Sequence, residues 1–344
     1  MSDISIRKTG RAGRITLTRP KALNAVTYEM CLAIEDALDA WRDDDEVALV
    51  IIDAEGDKAF SAGGDIQKLY ETGRAGDFAY GQRFWADEYR LNAKIREYSK
   101  PYVAFMQGFT MGGGVGISCH GSHRIVCENS QVAMPECGIG LVPDVGGSLM
   151  LAQAPGRLGE YLGITTTRMG PADAIMGGFA DSYAPQEMWP ELIGKLEETG
   201  DTDAIEAAQQ VPPDGALAAQ QAQIDAHFGG ETLADILTSL RNDDSEFAGR
   251  ALKALSRGSP LAMACAVETT HRLRRPGTTI RDALELEYRF TYRAMEYGDF
   301  LEGIRAAVID KDRSPKWQHD LDNPPSLAAT KMLMPLGKDK LTFD

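Results

Sequence analysis

Two carboxylates, Glu136 and Asp144, stand in a loop that is otherwise rich in glycine and apolar residues. The residues between them include Ile139, Leu141 and Val142, whereas a solvated surface loop usually carries more polar side chains. Carboxyl groups among apolar neighbours tend to have a raised pKa and to serve as acids, bases or nucleophiles. The pattern therefore predicts acid–base or nucleophilic chemistry at this loop. A helix N-cap or an ion pair is the structural alternative.

Two glycine clusters precede this loop, at residues 61–65 and 111–116, and each is predicted to follow a strand and begin a helix. Glycine lets a backbone approach a ligand closely, and the first N–H groups of a helix have no partner within it. Two such turns that converge can direct two N–H groups at a single oxygen, which would form an oxyanion hole. A single turn of this kind also fits a tight connection that binds nothing. Neither cluster fits the dinucleotide-binding or P-loop patterns.

The segment at residues 116–121 contains a serine and a histidine, which could suggest a serine hydrolase. It does not match G-x-S-x-G, because the spacing is one residue too long, and Ser118 is predicted to lie inside a helix. His120 and His123 are better explained as packing or capping residues. The sequence contains no clustered set of metal ligands, so no metal is expected.

The elements that must position these residues alternate between short apolar strands and helices. A hairpin is predicted from Ile4 to Leu17, and a helix follows from its predicted N-cap, Thr27, to Trp41. Apolar runs such as residues 47–52 suit strands that are covered on both faces. This alternation predicts an α/β fold with a largely parallel sheet. Strand signals fade after about residue 200, so we expect a core over 1–200 and a mainly helical region over 201–344.

Composition limits the partners and the compartment. The 344 residues carry a net charge of −15, from 36 Lys and Arg against 51 Asp and Glu. That charge argues against nucleic acid and against an anionic membrane surface, because both attract basic proteins. No apolar run approaches the ~18 residues that a membrane-spanning helix requires. Five scattered cysteines form no C-x-x-C pair, which favours reduced thiols and predicts a cytoplasmic location.

Several motifs together resemble the crotonase (enoyl-CoA hydratase/isomerase) superfamily. They are Arg19-Pro20-Lys21-Ala22-Leu23-Asn24-Ala25, Ala62-Gly63-Gly64-Asp65-Ile66, Gly112-Gly113-Gly114, and Pro135-Glu136 with Pro143-Asp144-Val145-Gly146-Gly147. Residues 110–116, 143–147 and 310–317 look more narrowly like the 3-hydroxyisobutyryl-CoA hydrolase branch of this superfamily. The resemblance extends from about Ile4 to Trp317.

The resemblance implies a crotonase-like spiral of repeated ββα units with carboxy-terminal helices, and an acyl-CoA thioester as the ligand. The oxyanion hole would be the backbone N–H groups of Gly64 and Gly113, and Glu136 would be the catalytic carboxylate. Glu88 and Asp144 would contact the hydroxyl end of the substrate or the attacking water. Coenzyme A would lie against six residues, namely Lys21, Ala22, Leu23, Ala62, Asp65 and Ile66.

The resemblance also bears on cofactors and assembly. No separate cofactor is expected, since coenzyme A is part of the substrate. The helical region after residue 200 would cover the substrate and supply oligomer contacts. A homo-oligomer, either a trimer or a hexamer, is left open.

One departure from the superfamily separates two reactions. Hydratases of the superfamily carry a glutamate three residues after the middle glycine of the triplet, and here that position is Gly116. Hydration uses two carboxylates to hold and deprotonate water, whereas hydrolysis needs only a polarised thioester carbonyl and an attack on it. Gly116 therefore argues against hydration, and the resemblance to the hydrolase branch implies hydrolysis of a short branched 3-hydroxyacyl-CoA, with 3-hydroxyisobutyryl-CoA of valine degradation as the leading substrate. An enoyl-CoA isomerase or hydratase with a single carboxylate and a non-catalytic acyl-CoA-binding protein are the alternatives.

Overall fold

The computed structural model describes residues 3–343, and its strands form two sheets. The strands are β1 (Ile4–Thr9), β2 (Ala12–Leu17), β3 (Leu49–Ala54), β4 (Ala59–Ser61), β5 (Tyr102–Met106), β6 (Phe109–Met111), β7 (His123–Val126), β8 (Gln131–Ala133) and β9 (Ser182–Tyr183). One sheet has the order β1-β2-β3-β5-β7-β9, and the other has the order β4-β6-β8. The β1–β2 hairpin is antiparallel, and the other strand pairs are parallel. The predicted α/β fold with a largely parallel sheet is confirmed.

Helices make up most of the remaining chain. The α-helices are α1 (Tyr28–Arg42), α2 (Gln67–Arg74), α3 (Phe78–Arg96), α4 (Gly113–Ser118), α5 (Gly147–Gln153), α6 (Leu158–Thr165), α7 (Pro171–Met176), α8 (Trp189–Thr199), α9 (Asp203–Ala208), α10 (Gln221–His227), α11 (Leu233–Arg241), α12 (Glu246–Leu255), α13 (Pro260–Leu273), α14 (Ile280–Tyr297), α15 (Phe300–Ile304) and α16 (Ser326–Met332). Within residues 3–343, none of these helices combines the length and the apolar character needed to cross a bilayer.

The six-stranded sheet forms around strands whose residues are almost all apolar. All five residues of β5 are buried, and so are the first four of the six residues of β3. Parallel strands that are covered on both faces need such continuous apolar runs. On one face, Ile51, Val103 and Phe105 belong to a buried cluster with Trp189 of α8. The rings of Phe105 and Trp189 lie 5.1 Å apart, edge to face.

The chain forms two compact units, each assembled from separate segments. Unit 1 consists of the segment that ends at Gly64, Arg90–Ala133 and Arg168–Ala216, and it contains the nine strands. Unit 2 consists of Asp65–Tyr89, Met134–Thr167 and the segment that begins at Leu217. Inside unit 2, α13 packs against α5, α6, α14 and α16. The predicted division at residue 200 follows the order of the sequence, whereas these units do not, and that division stays a prediction.

Local sequence signals place several element boundaries. The Thr27 hydroxyl accepts a hydrogen bond from the Met30 N–H at 3.2 Å and so caps α1. Ser259 caps α13 in the same way, with the Ala262 N–H as donor at 3.1 Å. Side-chain oxygens at N-caps accept orphan N–H groups of the first turn, which is why these starts can be predicted from sequence.

Candidate active site

Unit 1 brings the two glycine turns side by side. β4 and β6 are adjacent parallel strands, with Ser61 opposite Thr110, so both carboxyl ends lie at one edge of the three-stranded sheet. Gly64 comes three residues after β4 ends, and Gly113 comes two residues after β6 ends. Gly113 is also the first residue of α4, so its N–H has no acceptor within that helix. Both N–H groups of the expected oxyanion hole therefore follow neighbouring strands.

The close approach of the two turns depends on glycine. A Cβ on Gly114 would lie 2.6 Å from the Ser61 carbonyl oxygen, and a Cβ on Gly63 would lie 3.5 Å from that of Met111. Gly63 also has a φ of +119°, which residues with side chains rarely adopt. Gly64 is different, because a Cβ there would meet no described atom within 4 Å. The turns are packed tightly against each other, while Gly64 faces open space.

Three of the residues that the resemblance assigns to coenzyme A form one short turn of unit 1. Lys21 and Ala22 belong to a 3₁₀ turn at Pro20–Ala22, and Leu23 ends it with a φ of +50°. The Leu23 carbonyl accepts a hydrogen bond from the Ala62 N–H at 3.0 Å, which attaches this turn to the first glycine turn. The remaining two residues, Asp65 and Ile66, begin unit 2.

A cavity of about 540 Å³ opens beside the 3₁₀ turn. Two exposed cations, Lys21 and Lys58, contribute to its lining together with Leu23. Glu55 and Asp57 also line it, so the cavity is not uniformly basic. It nevertheless offers two ammonium groups and an apolar side chain, which suits a ligand with both phosphate and apolar parts.

Four of the buried carboxyl groups in unit 2 affect one another's pKa values, and each of these residues is at most 4% exposed. They are Glu88 on α3, Glu136 at the start of the 3₁₀ turn Glu136–Ile139, Asp144 just before α5, and Glu287 on α14. Among the described residues, no Lys, Arg or His side chain contributes to the pKa shifts of these four carboxyl groups. The structure thus brings together the three carboxylates singled out from the sequence and adds a fourth.

Glu136 is the one of these four residues with a buried side-chain oxygen that has no hydrogen-bond partner among the described residues. Burial raises its pKa well above the usual range, and the carboxyls of Asp144, Glu287 and Glu88 raise it further. Its Oε2 atom is buried and has no hydrogen-bond partner within the described residues. Burial, and then Asp144, likewise raise the pKa of Glu88 well above its usual value. Leaving a buried polar atom unpartnered costs free energy, so such an atom calls for an explanation other than stability.

Asp144 differs from Glu136 because a side chain donates a hydrogen bond to it. The Tyr89 hydroxyl donates to Asp144 Oδ2 at 2.8 Å. Burial raises the pKa of Asp144 to about 7, and the hydrogen bond from Tyr89 opposes that rise. A group with such a pKa can exchange a proton near neutral pH.

Tyr89 and Glu287 are the candidates that the sequence analysis missed. Glu287 is fully buried, and burial raises its pKa to about 8. A signal for Glu287 exists in the sequence: it lies one helical turn from Ala283 and from Thr291, on the buried face of α14. A charged residue on the apolar face of a helix is unusual and marks a position worth testing. Tyr89 carries no comparable signal beyond its place next to Glu88.

The residues set aside from the sequence have structural roles. Ser118 is buried inside α4, and its hydroxyl donates to the Gly114 carbonyl at 2.6 Å. His120 is also buried. Within residues 3–343, no group of three or more His, Cys, Asp or Glu side chains could hold a metal ion.

Comparison with known proteins decides the family. Residues 12–327 match the model of the family described as enoyl-CoA hydratase/isomerase. The chain belongs to this family. The mitochondrial 3-hydroxyisobutyryl-CoA hydrolase of Xenopus tropicalis is 40% identical over 92% of this chain and 84% of its own length. The protein of the same name from Gallus gallus is 37% identical, again over 92% of this chain and 84% of its own length. The resemblance to the superfamily and to this branch is confirmed.

A solved structure confirms the crotonase-like fold. The crystal structure of an enoyl-CoA hydratase from Rhodobacter sphaeroides 2.4.1 is 54% identical, covers 99% of this chain and 100% of its own, and has a TM-score of 0.94. A structural match of this quality over both whole chains extends to the carboxy-terminal helices.

The predicted cytoplasmic location is wrong on this comparison, because both hydrolases above are named mitochondrial proteins. The prediction rested partly on cysteine usage, and all five cysteines are indeed buried thiols outside any disulfide. Buried thiols are compatible with any reducing compartment, so they could not distinguish one from another.

Proposed function

We propose that the chain hydrolyses a short branched 3-hydroxyacyl-CoA thioester to the free acid and coenzyme A, with 3-hydroxyisobutyryl-CoA as the preferred substrate. Relatives that are 37% and 40% identical carry this activity in their names, and valine degradation would be its setting. The single observation that carries the proposal is the buried, unpartnered Oε2 of Glu136 among other carboxyl groups. A protein that only binds acyl-CoA has no use for such a cluster.

The thioester oxygen would accept hydrogen bonds from the N–H groups of Gly64 and Gly113. Donors fixed in this way stabilise the charge that develops on the oxygen, and one such donor is commonly worth about 3–4 kcal/mol at the transition state. The parallel pairing of β4 with β6 supports this role, because both glycine turns follow strand ends at one edge of a sheet. The open space beside Gly64 supports it as well.

Glu136 would supply the nucleophile or the base. In one route its carboxylate attacks the carbonyl carbon, the C–S bond breaks, coenzyme A leaves, and water opens the resulting mixed anhydride. In the other route it takes a proton from the water that attacks the carbonyl. Both routes use ionised Glu136, and the raised pKa makes that ionised form a stronger base.

Asp144 and Glu88 would complete the reaction. Coenzyme A leaves as a thiolate that must gain a proton, and Asp144, with a pKa of about 7, can hold one at neutral pH. It can alternatively position the attacking water. Glu88 would bind the 3-hydroxyl of the acyl group through a hydrogen bond, since a buried carboxyl group that is not paired with a cation needs a polar partner.

The coenzyme A portion would contact Lys21, Ala22, Leu23, Ala62, Asp65 and Ile66. Its phosphates need a local cationic site, because the chain as a whole carries a charge of −15. Lys21 and Lys58 in the cavity of about 540 Å³ supply two such charges. The proposal requires no separate cofactor. A trimer or a hexamer also stays part of the proposal, and light scattering after gel filtration tests it.

Hydration or isomerisation of an enoyl-CoA is the second candidate. It is favoured by one observation, namely that the solved structure with 54% identity is described as an enoyl-CoA hydratase. Gly116 argues against hydration, because it is buried inside α4 and has no carboxylate to hold and deprotonate water. Isomerisation remains chemically open, because it needs only one carboxylate to move a proton, and Glu136 or Asp144 could do so.

A panel of acyl-CoA thioesters tests the proposal. Released coenzyme A is measured with a thiol reagent for 3-hydroxyisobutyryl-CoA, other short 3-hydroxyacyl-CoAs and unsubstituted acyl-CoAs. The proposal expects the highest kcat/KM for 3-hydroxyisobutyryl-CoA. Crotonyl-CoA and a 3-enoyl-CoA are followed by absorbance of the conjugated enoyl thioester, and a change without release of coenzyme A would indicate a hydratase or isomerase. Tight binding without turnover of any member would indicate an acyl-CoA-binding protein and contradict the proposal.

A further inference from the structure

The turn that carries Asp144 has an unusual backbone. The Gly147 N–H donates to the Asp144 carbonyl at 2.7 Å and closes a four-residue turn. The two central residues, Val145 and Gly146, have φ angles of +52° and +79°, which is the pattern of a type I′ turn. Left-handed backbone is strained for a β-branched residue such as Val145, and it persists only where the surroundings enforce it.

The surroundings that enforce this turn are found on α14. Glu287 Oε2 accepts a hydrogen bond from the Gly146 N–H at 2.9 Å, and Glu287 Oε1 accepts one from the Ser148 N–H at 3.2 Å. The Ser148 hydroxyl also donates to Glu287 Oε1. Both carboxylate oxygens of one fully buried residue thus hold the backbone immediately after Asp144.

A second contact of α14 reaches the other side of Asp144. Thr291 lies one helical turn after Glu287, and its hydroxyl is 3.4 Å from the Tyr89 hydroxyl that donates to Asp144. The same helix therefore supports the Asp144 side chain through Tyr89 and the Asp144 backbone through Glu287.

We propose that Glu287 is a positioning residue that fixes the turn of Asp144 and, once it ionises, adds a negative charge to the field around the catalytic carboxylates. This inference rests on the proposed function for its kinetic part, whereas the holding of the turn is independent of it. The titratable groups that interact with Glu287 among the described residues are Asp144 in the turn, Glu136 before it and Tyr89 on α3.

The variant Glu287→Gln tests both parts of the role. In either orientation of the amide, its NH₂ group faces an N–H or O–H donor and cannot accept from it, so at least one hydrogen bond from the turn to this side chain is lost. Hydrogen exchange of the amides of Gly146 and Ser148 is expected to become at least about tenfold faster. For CoA release, kcat is expected to fall at least about tenfold while KM changes less than about twofold.

The pH profile separates positioning from general destabilisation. Because Glu287 raises the pKa of Glu136, its replacement by a neutral amide lowers that pKa, and the acidic limb of the kcat profile moves to lower pH. Glu160→Gln is the matched control, since Glu160 is also buried but is held by His271 and Arg274 instead. That control is expected to lower thermal stability while leaving the profile and the exchange at residues 143–149 unchanged.

Each outcome decides the inference. Unchanged exchange and an unmoved pH limb in Glu287→Gln overturn it, as does a pattern equal to that of Glu160→Gln. If Glu287→Gln does not fold, Ser148→Ala is used, because losing the hydroxyl donor favours the neutral form of Glu287 and moves the limb the same way by a smaller amount. No movement in Ser148→Ala then overturns the inference. If the wild type releases no coenzyme A, the proposed function fails, and hydrogen exchange alone decides whether Glu287 holds the turn.

Discussion

The glycine turns of unit 1 and the buried carboxyl groups of unit 2 are held in place by different forces. In unit 1, an added side chain would clash with Ser61 at Gly114 and would be strained by the positive φ at Gly63, and the groups available for chemistry are backbone N–H groups. In unit 2, the groups offered for chemistry are side chains whose pKa values burial raises. The contribution of the glycine turns to activity depends on their packing and hardly on pH. The contribution of the carboxyl groups depends on their protonation state.

Gly114→Ala should disrupt the glycine turns of unit 1 and have the largest effect on activity among these variants. Its Cβ would lie 2.6 Å from the Ser61 carbonyl, so the turn that carries Gly113 must move. Overpacking of this kind costs about 1–3 kcal/mol of stability, and a displaced oxyanion donor lowers kcat about 100-fold. Chemical denaturation and CoA release measure both effects. Gly194→Ala on α8, with no described atom within 4 Å of its Cβ, is the control and should change neither beyond a slight stabilisation. Wild-type kcat in Gly114→Ala would refute the packing argument.

The second region should respond to pH through stability. Burial raises the pKa of Asp144 from 3.8 to about 7 and that of Glu287 from 4.5 to about 8. Groups with a raised folded-state pKa stabilise the fold below the unfolded value, and this stability is lost as pH rises through the folded value. The free energy of unfolding should therefore fall as pH rises from about pH 4 to pH 8, by about 1.4 kcal/mol for each unit by which a group's pKa is raised. Urea denaturation across this range measures it, and Asp144→Asn should flatten the dependence.

Glu160 provides the opposite sign within unit 2. Although burial opposes it, hydrogen bonds from His271 and Arg274 lower the pKa of Glu160, so its stabilisation is lost as pH falls. Glu160→Gln should therefore leave the alkaline loss of stability intact. An alkaline dependence that vanished in Glu160→Gln but persisted in Asp144→Asn would contradict the assignment to the carboxyl cluster.

Tyr89→Phe sharpens the comparison with a smaller effect. It removes the hydrogen bond that opposes the rise in the pKa of Asp144, so that pKa moves higher. If Asp144 protonates the leaving sulfur, the alkaline limb of the kcat profile moves to higher pH, and kcat falls up to about tenfold because a hydrogen bond to a charged group is lost. A pH-rate series on both enzymes measures this. A movement of the alkaline limb to lower pH would remove Asp144 as the proton donor.

Lys21→Ala should have the smallest effect, on binding alone. Removing one exposed cation from the cavity should raise KM about threefold and weaken the salt dependence of KM, with kcat unchanged, because exposed charges contribute little and are screened. Lys195→Ala on α8, whose ammonium pairs with Glu191, is the control. Equal KM values for the two variants at low salt would exclude Lys21 from the phosphate site.

Features that depend on neighbouring residues in the chain could be predicted from the sequence, and features that depend on distant residues could not. The glycine turns were predicted because a strand end, a glycine and a helix start are adjacent in the chain, and Thr27 was predicted as a cap for the same local reason. Glu136 and Asp144 stood out because apolar residues surround them in one loop. Glu287 was missed because its partners, Gly146 and Ser148, lie about 140 residues away in the chain, and only tertiary packing brings them together.

CoA release from 3-hydroxyisobutyryl-CoA by the wild type and by Glu136→Gln tests the central claim most directly. The substitution keeps the shape of the side chain but removes both the nucleophile and the base. The account predicts rapid release by the wild type and a kcat at least about 100-fold lower in the variant, with an undiminished free energy of unfolding, since the neutral amide removes a buried group that is costly to ionise. Full hydrolytic kcat in Glu136→Gln would contradict the account.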